Sequence, residues 1–455
     1  MKPKKGDEIL VKIDSLVYGG SGLASVDGFK IFVEDACPGD EALVRIHKVR
    51  SRYAEASVVK VVTPSPQRVT PRCPHFSVCG GCQWQFLSYE DQLKVKEQHV
   101  RDSISRLGGL SPDLVQPIVA SATPWYYRNK MELSFGPGPD GSTLLGFYPP
   151  GYHYEVFDLE TCFLQSELMV EMVEKVRAFV NEKKIPFYHS NTHEGVLKSL
   201  TIREGKNTGE AMIILTTSTS IFEHVEGFKA LFEGDPRISS VYWNSVYQVE
   251  GQPTWMEQNL LLGKASLTEA LVLENGHRLE FDILPQAFFQ TNTMQAQVLY
   301  SKVLEVAALS GVETVFDLYC GTGTIGLFCA HKAKEVVSVE LNESAVENAR
   351  GNAQRNGIQN VIFYLGSVEE RLASLSQKPD VVIVDPPRAG LGERVVATCA
   401  KFAAPKIVYV SCNPTTLARD LRQFAELGYE TTSVHPVDMF PQTHHVECVA
   451  VLMKG

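Results

Sequence analysis

The stretch VFDLYCGTGTIG, residues 315–326, decides the fold of the carboxyl-terminal part of the chain. It places Gly321, Gly323 and Gly326 between an apolar run typical of a buried strand and the start of a helical pattern. Glycine lets the backbone approach a ligand closely, and the amino terminus of a helix attracts negative charge. The same spacing also occurs in dinucleotide sites, so the motif alone predicts a nucleotide-type ligand without naming it.

From about residue 311 onward the sequence alternates regularly between strand and helix patterns. The strand-like runs are TVFDLY, EVVSVEL, VIFYLG, DVVIVD and KIVYVS, each followed by a helix pattern. Such alternation predicts a parallel, doubly wound sheet. The closing runs ETTSVHPVDMF and VECVAVLM predict a final hairpin on the edge of that sheet.

Two acidic residues narrow the interpretation of the glycine loop. Asp317 ends the strand before the loop, and Glu340 ends the next strand about 20 residues later, where an acid can bind a ribose diol. With DLYCGTG, the region resembles a class I S-adenosylmethionine (SAM) methyltransferase.

Asp385-Pro386-Pro387-Arg388 follows the fourth strand and partly resembles the motif of amino-group methyltransferases. An arginine stands where those enzymes carry a base-stacking ring, which argues against methylation of an exocyclic amine.

Cys412, in VSCNP at the end of the fifth strand, is the candidate nucleophile. A buried structural cysteine is the alternative, but the carboxyl edge of the sheet is where ligands bind in such folds. A thiolate that adds to uracil C6 makes C5 nucleophilic enough to take a methyl group. A base must then remove the C5 proton, and Glu447 in HHVECVAVL is the best candidate, with His444 and His445 as competitors.

Residues 1–62 consist of short alternating runs broken by turn clusters at residues 19–22 and 38–40, which predicts a small all-β barrel. The order GGSGLA, DGFKIFVEDACPGD and then a basic run resembles the TRAM domain, an OB-like RNA-binding module. The net charge of −10 does not favour a polyanionic partner, but Lys48, Arg50 and Arg52 alternate as if on one strand face. We expect this basic face to contact RNA, with a merely solvated face as the alternative.

A cysteine group follows a proline-rich linker. Cys73, Cys79 and Cys82 are clustered, and Cys162 lies far downstream in FDLETCFLQ. Three clustered thiols and a remote one can hold zinc or an iron–sulfur cluster, and the spacing does not separate the two.

The next segment predicts a helix, residues 89–107, with an apolar face of Leu93, Val100, Ile104 and Leu107.

The motifs DLYCGTG, DPPR, VSCNP and HHVE, in this order, resemble the uridine-C5 RNA methyltransferase family, in particular its TRAM-bearing 23S ribosomal RNA members. The resemblance covers nearly the whole chain and implies a nucleophile at Cys412 and a base at Glu447. It further implies a [4Fe–4S] cluster on the four cysteines named above. The implied contacts to SAM are Gln290, Tyr319, Thr324, Glu340, Ser367 and Asp385, although some family members carry Asn at the positions of Thr324 and Ser367.

We therefore expect three domains: a TRAM-like barrel (1–62), a central iron–sulfur and RNA-binding α+β domain (63–270) and an α/β SAM methyltransferase domain (271–455). Helix 89–107 of the central domain is a candidate to pack on the methyltransferase domain. The predicted substrate is 23S rRNA. The alternatives are the T-loop uridine of tRNA and an inactive RNA-binding assembly factor. No run approaches the 18–20 apolar residues of a membrane helix, and no signal peptide is evident, so we expect a soluble cytoplasmic protein. We also expect a monomer.

Overall fold

The computed structural model describes residues 2–152, 155–219, 221–247, 254–272, 276–375 and 377–455. The chain divides into two compact units. Unit 1 comprises Met1–Pro124, Ser411–Arg422 and Ser433–Cys448, and unit 2 comprises Trp125–Val410, Gln423–Thr432 and Val449–Gly455. Within the described ranges, no helix has the length and apolar character needed to cross a membrane.

Unit 1 begins with a closed five-stranded barrel, as the alternating runs predict. Its strands follow the order β1-β2-β3-β5-β4, and the inward positions carry small or β-branched residues such as Ala24, Ile31 and Val44. Small interior side chains allow a barrel of only five strands to close around a packed core. The strands are β1 (Glu8–Leu16), β2 (Gly22–Val26), β3 (Phe29–Glu34), β4 (Glu41–Val49) and β5 (Tyr53–Thr63).

The predicted basic strand face of the barrel is wrong. Strand β4 ends at Val49, so Arg50 and Arg52 lie in the exposed turn before β5 rather than in a strand. Lys48 is on the strand, but its ammonium group pairs with Glu55 at 2.8 Å. Exposed polar residues suit a turn and a strand edge equally well, and alternation over five residues does not separate the two. The basic residues in the turn of this hairpin are therefore Arg50 and Arg52, and both are exposed.

A long helix, α1 (Tyr89–Arg106), follows the cysteine-rich segment in unit 1. The Ser88 side chain accepts a hydrogen bond from the Asp91 amide and caps the first turn, as the sequence predicts. Val100 and Ile104 are buried as expected, but Leu107 is 48% exposed at the helix end. The predicted apolar face is thus only partly correct. The rest of the buried face is polar and consists of Gln92, Lys96, His99 and Ser103.

Unit 2 contains a seven-stranded sheet of order β12-β11-β10-β9-β6-β7-β8. Helices α2 (Glu167–Glu182) and α3 (Val225–Ala230) cover one face and bury a core that includes Leu133, Met172 and Phe228. A hairpin of β13 (Leu267–Val272) and β14 (Arg278–Ile283) comes next in the chain. The strands of the large sheet are β6 (Lys130–Pro137), β7 (Thr143–Phe147), β8 (Phe157–Asp158), β9 (Leu197–Glu204), β10 (Ala211–Thr217), β11 (Ile238–Tyr247) and β12 (Trp255–Gly263).

The carboxyl-terminal part forms a second seven-stranded sheet of order β17-β16-β15-β18-β19-β21-β20, with the first five strands parallel. This is the predicted doubly wound sheet, with the last two strands of the chain added at one edge. The strands are β15 (Thr314–Leu318), β16 (Glu335–Glu340), β17 (Val361–Leu365), β18 (Val381–Val384), β19 (Lys406–Ser411), β20 (Tyr429–Val437) and β21 (Glu447–Lys454). The helices are α4 (Thr293–Ala307), α5 (Thr324–Ala330), α6 (Glu343–Arg355), α7 (Val368–Ser374), α8 (Gly392–Lys401) and α9 (Pro414–Glu426).

Candidate functional site

The strand order of the doubly wound sheet locates a ligand crevice in unit 2. The order reverses between β15 and β18, which are direct neighbours with Leu318 paired to Val384. Tyr319 and Asp385 follow these two residues in the chain, so both emerge at the carboxyl edge of the sheet at this reversal. Open α/β sheets bind their ligands at such a point.

The glycine loop after β15 is shaped by close packing on one side and open space on the other. Gly321 has a φ of +55°, and a Cβ built there would meet no heavy atom within 4 Å. At Gly326 a Cβ would lie 2.7 Å from Asp317 Oδ2, so only glycine lets helix α5 approach that carboxylate. Tyr319 adopts a φ of +65°, a strained conformation for an aromatic residue that is characteristic of functional turns.

Glu340 is held against the same loop. Its Oε2 accepts a hydrogen bond from the Gly321 amide at 3.0 Å, and its Oε1 accepts one from the Asn342 amide at 2.9 Å. Each carboxylate oxygen has a second lone pair that can accept from a hydroxyl. The side chain is thus fixed at the rim of the loop with capacity left for a ribose diol. Together with the open space at Gly321, this fits a nucleoside cofactor.

Two further carboxyl groups make the crevice electrostatically unusual. Burial raises the pKa of Asp317 to about 7, and the charges of Asp385 and Glu340 act in the same direction. Desolvation alone raises the pKa of Asp385 to about 7. Carboxyls in such surroundings gain most from a cationic ligand, since an opposite charge restores the ionised form. The crevice is therefore suited to a cofactor that carries positive charge.

The other three predicted cofactor contacts are also in unit 2, and each has a local structural role. Gln290 is 8% exposed, and its backbone carbonyl accepts a hydrogen bond from Asn129 Nδ2 at 2.8 Å. The Thr324 hydroxyl lies 3.3 Å from that of Tyr300, while Ser367 caps helix α7 through the Glu370 amide. Asn129, which holds the Gln290 carbonyl, is a site-supporting residue that the motifs of the sequence do not indicate.

Cys412, in unit 1, lies half-buried in the turn between β19 and α9. The turn is fixed on both sides of the thiol. Ser411 Oγ accepts a hydrogen bond from the Asn413 amide at 3.2 Å, and Asn413 Oδ1 accepts one from the Thr415 amide at 3.0 Å. The thiol thus immediately precedes the amino terminus of a 13-residue helix, where the helix dipole favours a negative charge.

Glu447 begins β21 and is 4% exposed. The next residue, Cys448, is fully buried, and burial raises the pKa of its thiol well above the ordinary value. The charges of Glu447 and Cys412 act in the same direction. Both predicted catalytic groups belong to unit 1. Cys412 directly follows β19 and Glu447 begins β21, and these two strands are adjacent in the sheet.

The two histidines that compete with Glu447 form part of an aromatic cluster. The rings of His444 and His445 are 4.1 Å apart, and the His444 ring also contacts Tyr18 at 5.9 Å and Trp84 at 6.5 Å. A Cβ at Gly20 would approach His444 Nδ1 to 3.3 Å, so the barrel packs tightly on this ring. His444 is thus held by edge-on ring packing, which favours a structural role over proton transfer.

The cysteines proposed to hold a cluster are distributed over both units. Cys73, Cys79 and Cys82 are in unit 1, Cys162 is in unit 2, and all four are partly exposed. All ten cysteines fall within the described ranges, and none forms a disulfide. Among the residues whose structure is described, no three His, Cys, Asp or Glu side chains are grouped so that they could hold a metal ion.

Comparison with known proteins adds an independent line of evidence. Residues 253–455 match the family model described as tRNA (Uracil-5-)-methyltransferase, and residues 2–59 match the TRAM domain. An uncharacterized RNA methyltransferase of Clostridium tetani is 39% identical over 99% of this chain and 97% of its own length. A protein of the same description from Halalkalibacterium halodurans is 38% identical over 98% of this chain and 97% of its own.

A solved structure extends the similarity to the fold of the whole chain. The tRNA (uracil-54, C5)-methyltransferase of Pyrococcus abyssi, in complex with S-adenosyl-L-homocysteine, is 30% identical to this chain. The two structures superpose with a TM-score of 0.77 over 98% of this chain and 100% of the other.

Proposed function

Since the chain belongs to the family of SAM-dependent RNA (uracil-5-)-methyltransferases, we propose that it methylates C5 of a uridine in 23S rRNA through a covalent adduct on Cys412. The observation that carries this proposal is that Cys412 directly follows β19 and Glu447 begins β21, and that these two strands are adjacent in the sheet. A nucleophile and a base within one small region are what the two halves of the reaction require.

In the proposed reaction the Cys412 thiolate adds to C6 of the uracil ring, and the electron pair of the C5–C6 double bond becomes available at C5. Bound SAM supplies an electrophilic methyl group on its sulfonium sulfur. C5 takes that methyl group and then carries both the methyl carbon and its original hydrogen. The Glu447 carboxylate removes this hydrogen as a proton, the double bond re-forms, and the thiolate leaves C6. The helix dipole at Cys412 stabilises the thiolate at the start and at the end.

The contacts proposed for SAM are the six residues described above in unit 2. Glu340 would accept from the ribose hydroxyls, and Asp385 would gain a favourable interaction with the positive charge of the ligand. Tyr319 and Gln290 would complete the crevice. Thr324 and Ser367 have hydroxyls already engaged in local hydrogen bonds, so their contribution should be the smallest.

The RNA would be bound by local basic groups, since the chain is acidic overall. Arg50 and Arg52 in the barrel turn are exposed. In unit 2, Lys130 of β6 lies directly opposite Arg203 of β9, and burial and the charge of Arg203 lower the pKa of Lys130. Like charges opposed across two strands repel, and an RNA phosphate would relieve that repulsion.

The T-loop uridine of tRNA is the second candidate substrate. The family model that matches this chain is described by tRNA, and so is the P. abyssi enzyme of similar fold. Mass mapping of 5-methyluridine in ribosomal and transfer RNA from cells with and without the gene separates the two. Loss of a methyl group from 23S rRNA supports the first proposal, and loss from tRNA alone contradicts it. Either RNA is consistent with a cytoplasmic protein.

We further propose that Cys73, Cys79, Cys82 and Cys162 hold a [4Fe–4S] cluster that stabilises the fold and takes no part in methyl transfer. Support comes from the four reduced, partly exposed thiols and from their spacing in the sequence. Anaerobically purified protein should contain about four iron and four sulfide per chain. Stoichiometric zinc in a colourless, active protein would contradict the proposal.

Trapping of the covalent adduct tests the mechanism directly. RNA with 5-fluorouridine at the target position leaves no removable proton after methyl transfer, so a denaturation-resistant adduct should accumulate. Cys412→Ala should abolish turnover and adduct together. Glu447→Gln should allow the adduct to form on ordinary RNA but slow its release. If the unmodified enzyme is active on uridine RNA but forms no adduct with the fluorinated RNA, the covalent mechanism is wrong.

A further inference from the structure

The helix α1 buries polar side chains on the face where a surface helix normally buries apolar ones. Gln92 and Lys96 are fully buried, one turn apart, and both contact the segment 438–446 between β20 and β21. This segment has no regular structure but is largely buried. Buried irregular backbone needs hydrogen-bond partners outside itself, because no helix or sheet provides them.

Gln92 forms a reciprocal pair with Gln442 in this segment. Gln92 Oε1 accepts a hydrogen bond from the backbone N–H of Gln442 at 2.9 Å, and Gln92 Nε2 donates to the side-chain Oε1 of Gln442 at 3.0 Å. The same Nε2 lies 3.1 Å from the carbonyls of Trp84 and Leu87. Gln442 has a φ of +71°, which is unfavourable for this residue type. Its strained backbone is thus held by the side chain of Gln92.

Lys96 anchors the start of the same segment. Its Nζ lies 2.6 Å from Asp438 Oδ1 and donates to the Phe440 carbonyl at 3.0 Å, while the Phe440 amide donates to the same Asp438 oxygen at 3.2 Å. Helix α1 therefore holds three residues of this segment. Lys96 bonds to Asp438 and Phe440, and Gln92 bonds to Gln442. Glu447 follows Gln442 after only four residues.

We infer that Gln92 and Lys96 are positioning residues for Glu447: they hold the segment 438–446 in the one conformation that aims the Glu447 carboxylate at the C5 proton. This inference rests on the role proposed for Glu447 above. Helix α1 lies outside the region of the methyltransferase family match, residues 253–455, so part of the geometry of the proton-removal step comes from the amino-terminal third of the chain. A misplacement of about 1 Å can slow a chemical step about 100-fold.

The test separates the two halves of the reaction on one RNA. Substrate RNA carries tritium at C5 of the target uridine, and SAM carries a ¹⁴C-methyl group. Methyl transfer is followed by ¹⁴C in the RNA and proton removal by tritium released to water, in a single turnover. In the unmodified enzyme the two signals should rise together. In Gln92→Leu, tritium release should lag behind methyl transfer by about 10- to 100-fold, while methyl transfer changes little.

The matched control is Gln98→Leu, the same change on the exposed side of α1, where Gln98 Nε2 donates a hydrogen bond to Asp102 of its own helix. This variant should show no lag. Gln442→Asn provides a second variant, because asparagine tolerates the left-handed backbone but its amide is too short to reach Gln92. It should show the same lag as Gln92→Leu.

The outcomes distinguish this inference from the proposed function. If Glu447→Gln itself shows no lag, the base role of Glu447 is wrong. If Glu447→Gln lags but Gln92→Leu and Gln442→Asn do not, α1 does not position the base, although the proposed reaction stands. If methyl transfer and tritium release fall together in both variants, α1 stabilises the fold as a whole, which also overturns the inference.

Discussion

Replacement of Lys96 by methionine should destabilise unit 1 strongly. Lys96 and Asp438 have no exposed side-chain surface, and their charged atoms are 2.6 Å apart. Methionine keeps the apolar stem but leaves the Asp438 carboxylate buried without its cation. Removing one partner of a buried ion pair costs about 3–5 kcal/mol. Because proteins unfold at a total cost of about 5–15 kcal/mol, this loss should be a large part of the stability.

The double variant Lys96→Met with Asp438→Leu should recover part of that loss. It removes both buried charges, which is often neutral in an apolar environment. It also removes the partners of the Phe440 amide and carbonyl, at about 1–3 kcal/mol for each buried group left unsatisfied. We therefore expect the double variant to lie between the single variant and the unmodified protein.

Urea unfolding followed by tryptophan fluorescence measures the effect, since Trp84 is the tryptophan of unit 1 and is fully buried. Lys94→Met is the matched control on the same helix. Lys94 pairs with Asp91 at 2.8 Å, but its side chain is 73% exposed, so its loss should leave the midpoint unchanged. If Lys96→Met and Lys94→Met shift the midpoint equally, the buried ion pair contributes no more to the free energy of unfolding than the exposed one, and the prediction is wrong.

Three further predictions follow from the site and the barrel. Affinity for cationic SAM should rise as pH increases through about 7, where the carboxyls of Asp317 and Asp385 ionise, and Asp385→Asn should remove part of this pH dependence, measured by calorimetry. Gly326→Ala should weaken SAM binding and cost about 1–3 kcal/mol, because its Cβ would lie 2.7 Å from a buried carboxylate. Gly351→Ala, in an open helix position, should be neutral or stabilising when both variants are compared by urea unfolding. Replacing Arg50 and Arg52 by alanine should weaken RNA binding and flatten its salt dependence, whereas an unchanged slope would exclude a phosphate contact.

The fold classes could be predicted from sequence because their patterns are local. Strands β15, β16 and β18 are buried on both faces and read as continuous apolar runs, as parallel strands covered by helices do. The barrel strands alternate because one face meets the core and the other meets water. The glycine spacing of 321, 323 and 326 likewise follows from a local requirement, the close approach of a helix to the strand before it.

The basic strand and the apolar helix face were predicted from the same kind of pattern and were wrong or incomplete. Arg50 and Arg52 alternate as strand residues would, yet the chain turns there to pair β4 with β5. That pairing depends on contacts between strands, which alternation within a strand does not encode. A polar side chain on a helix is normally exposed. The sequence around Gln92 and Lys96 therefore does not predict that these two side chains are buried.

The sequence alone determined the barrel and the doubly wound sheet, and it determined the order of the motifs. It also identified the candidate groups, including Cys412, Glu447 and the acids of the crevice. Only the tertiary structure decided that β19, which precedes Cys412, is adjacent to β21, which begins at Glu447, and that Gln92 and Lys96 are the residues of α1 that bond to the segment 438–446. The physical reason is that burial, desolvation and buried hydrogen bonds depend on what packs around a group. Asp385 has an ordinary carboxyl in the sequence, and its pKa rises to about 7 only because the folded chain removes water from it.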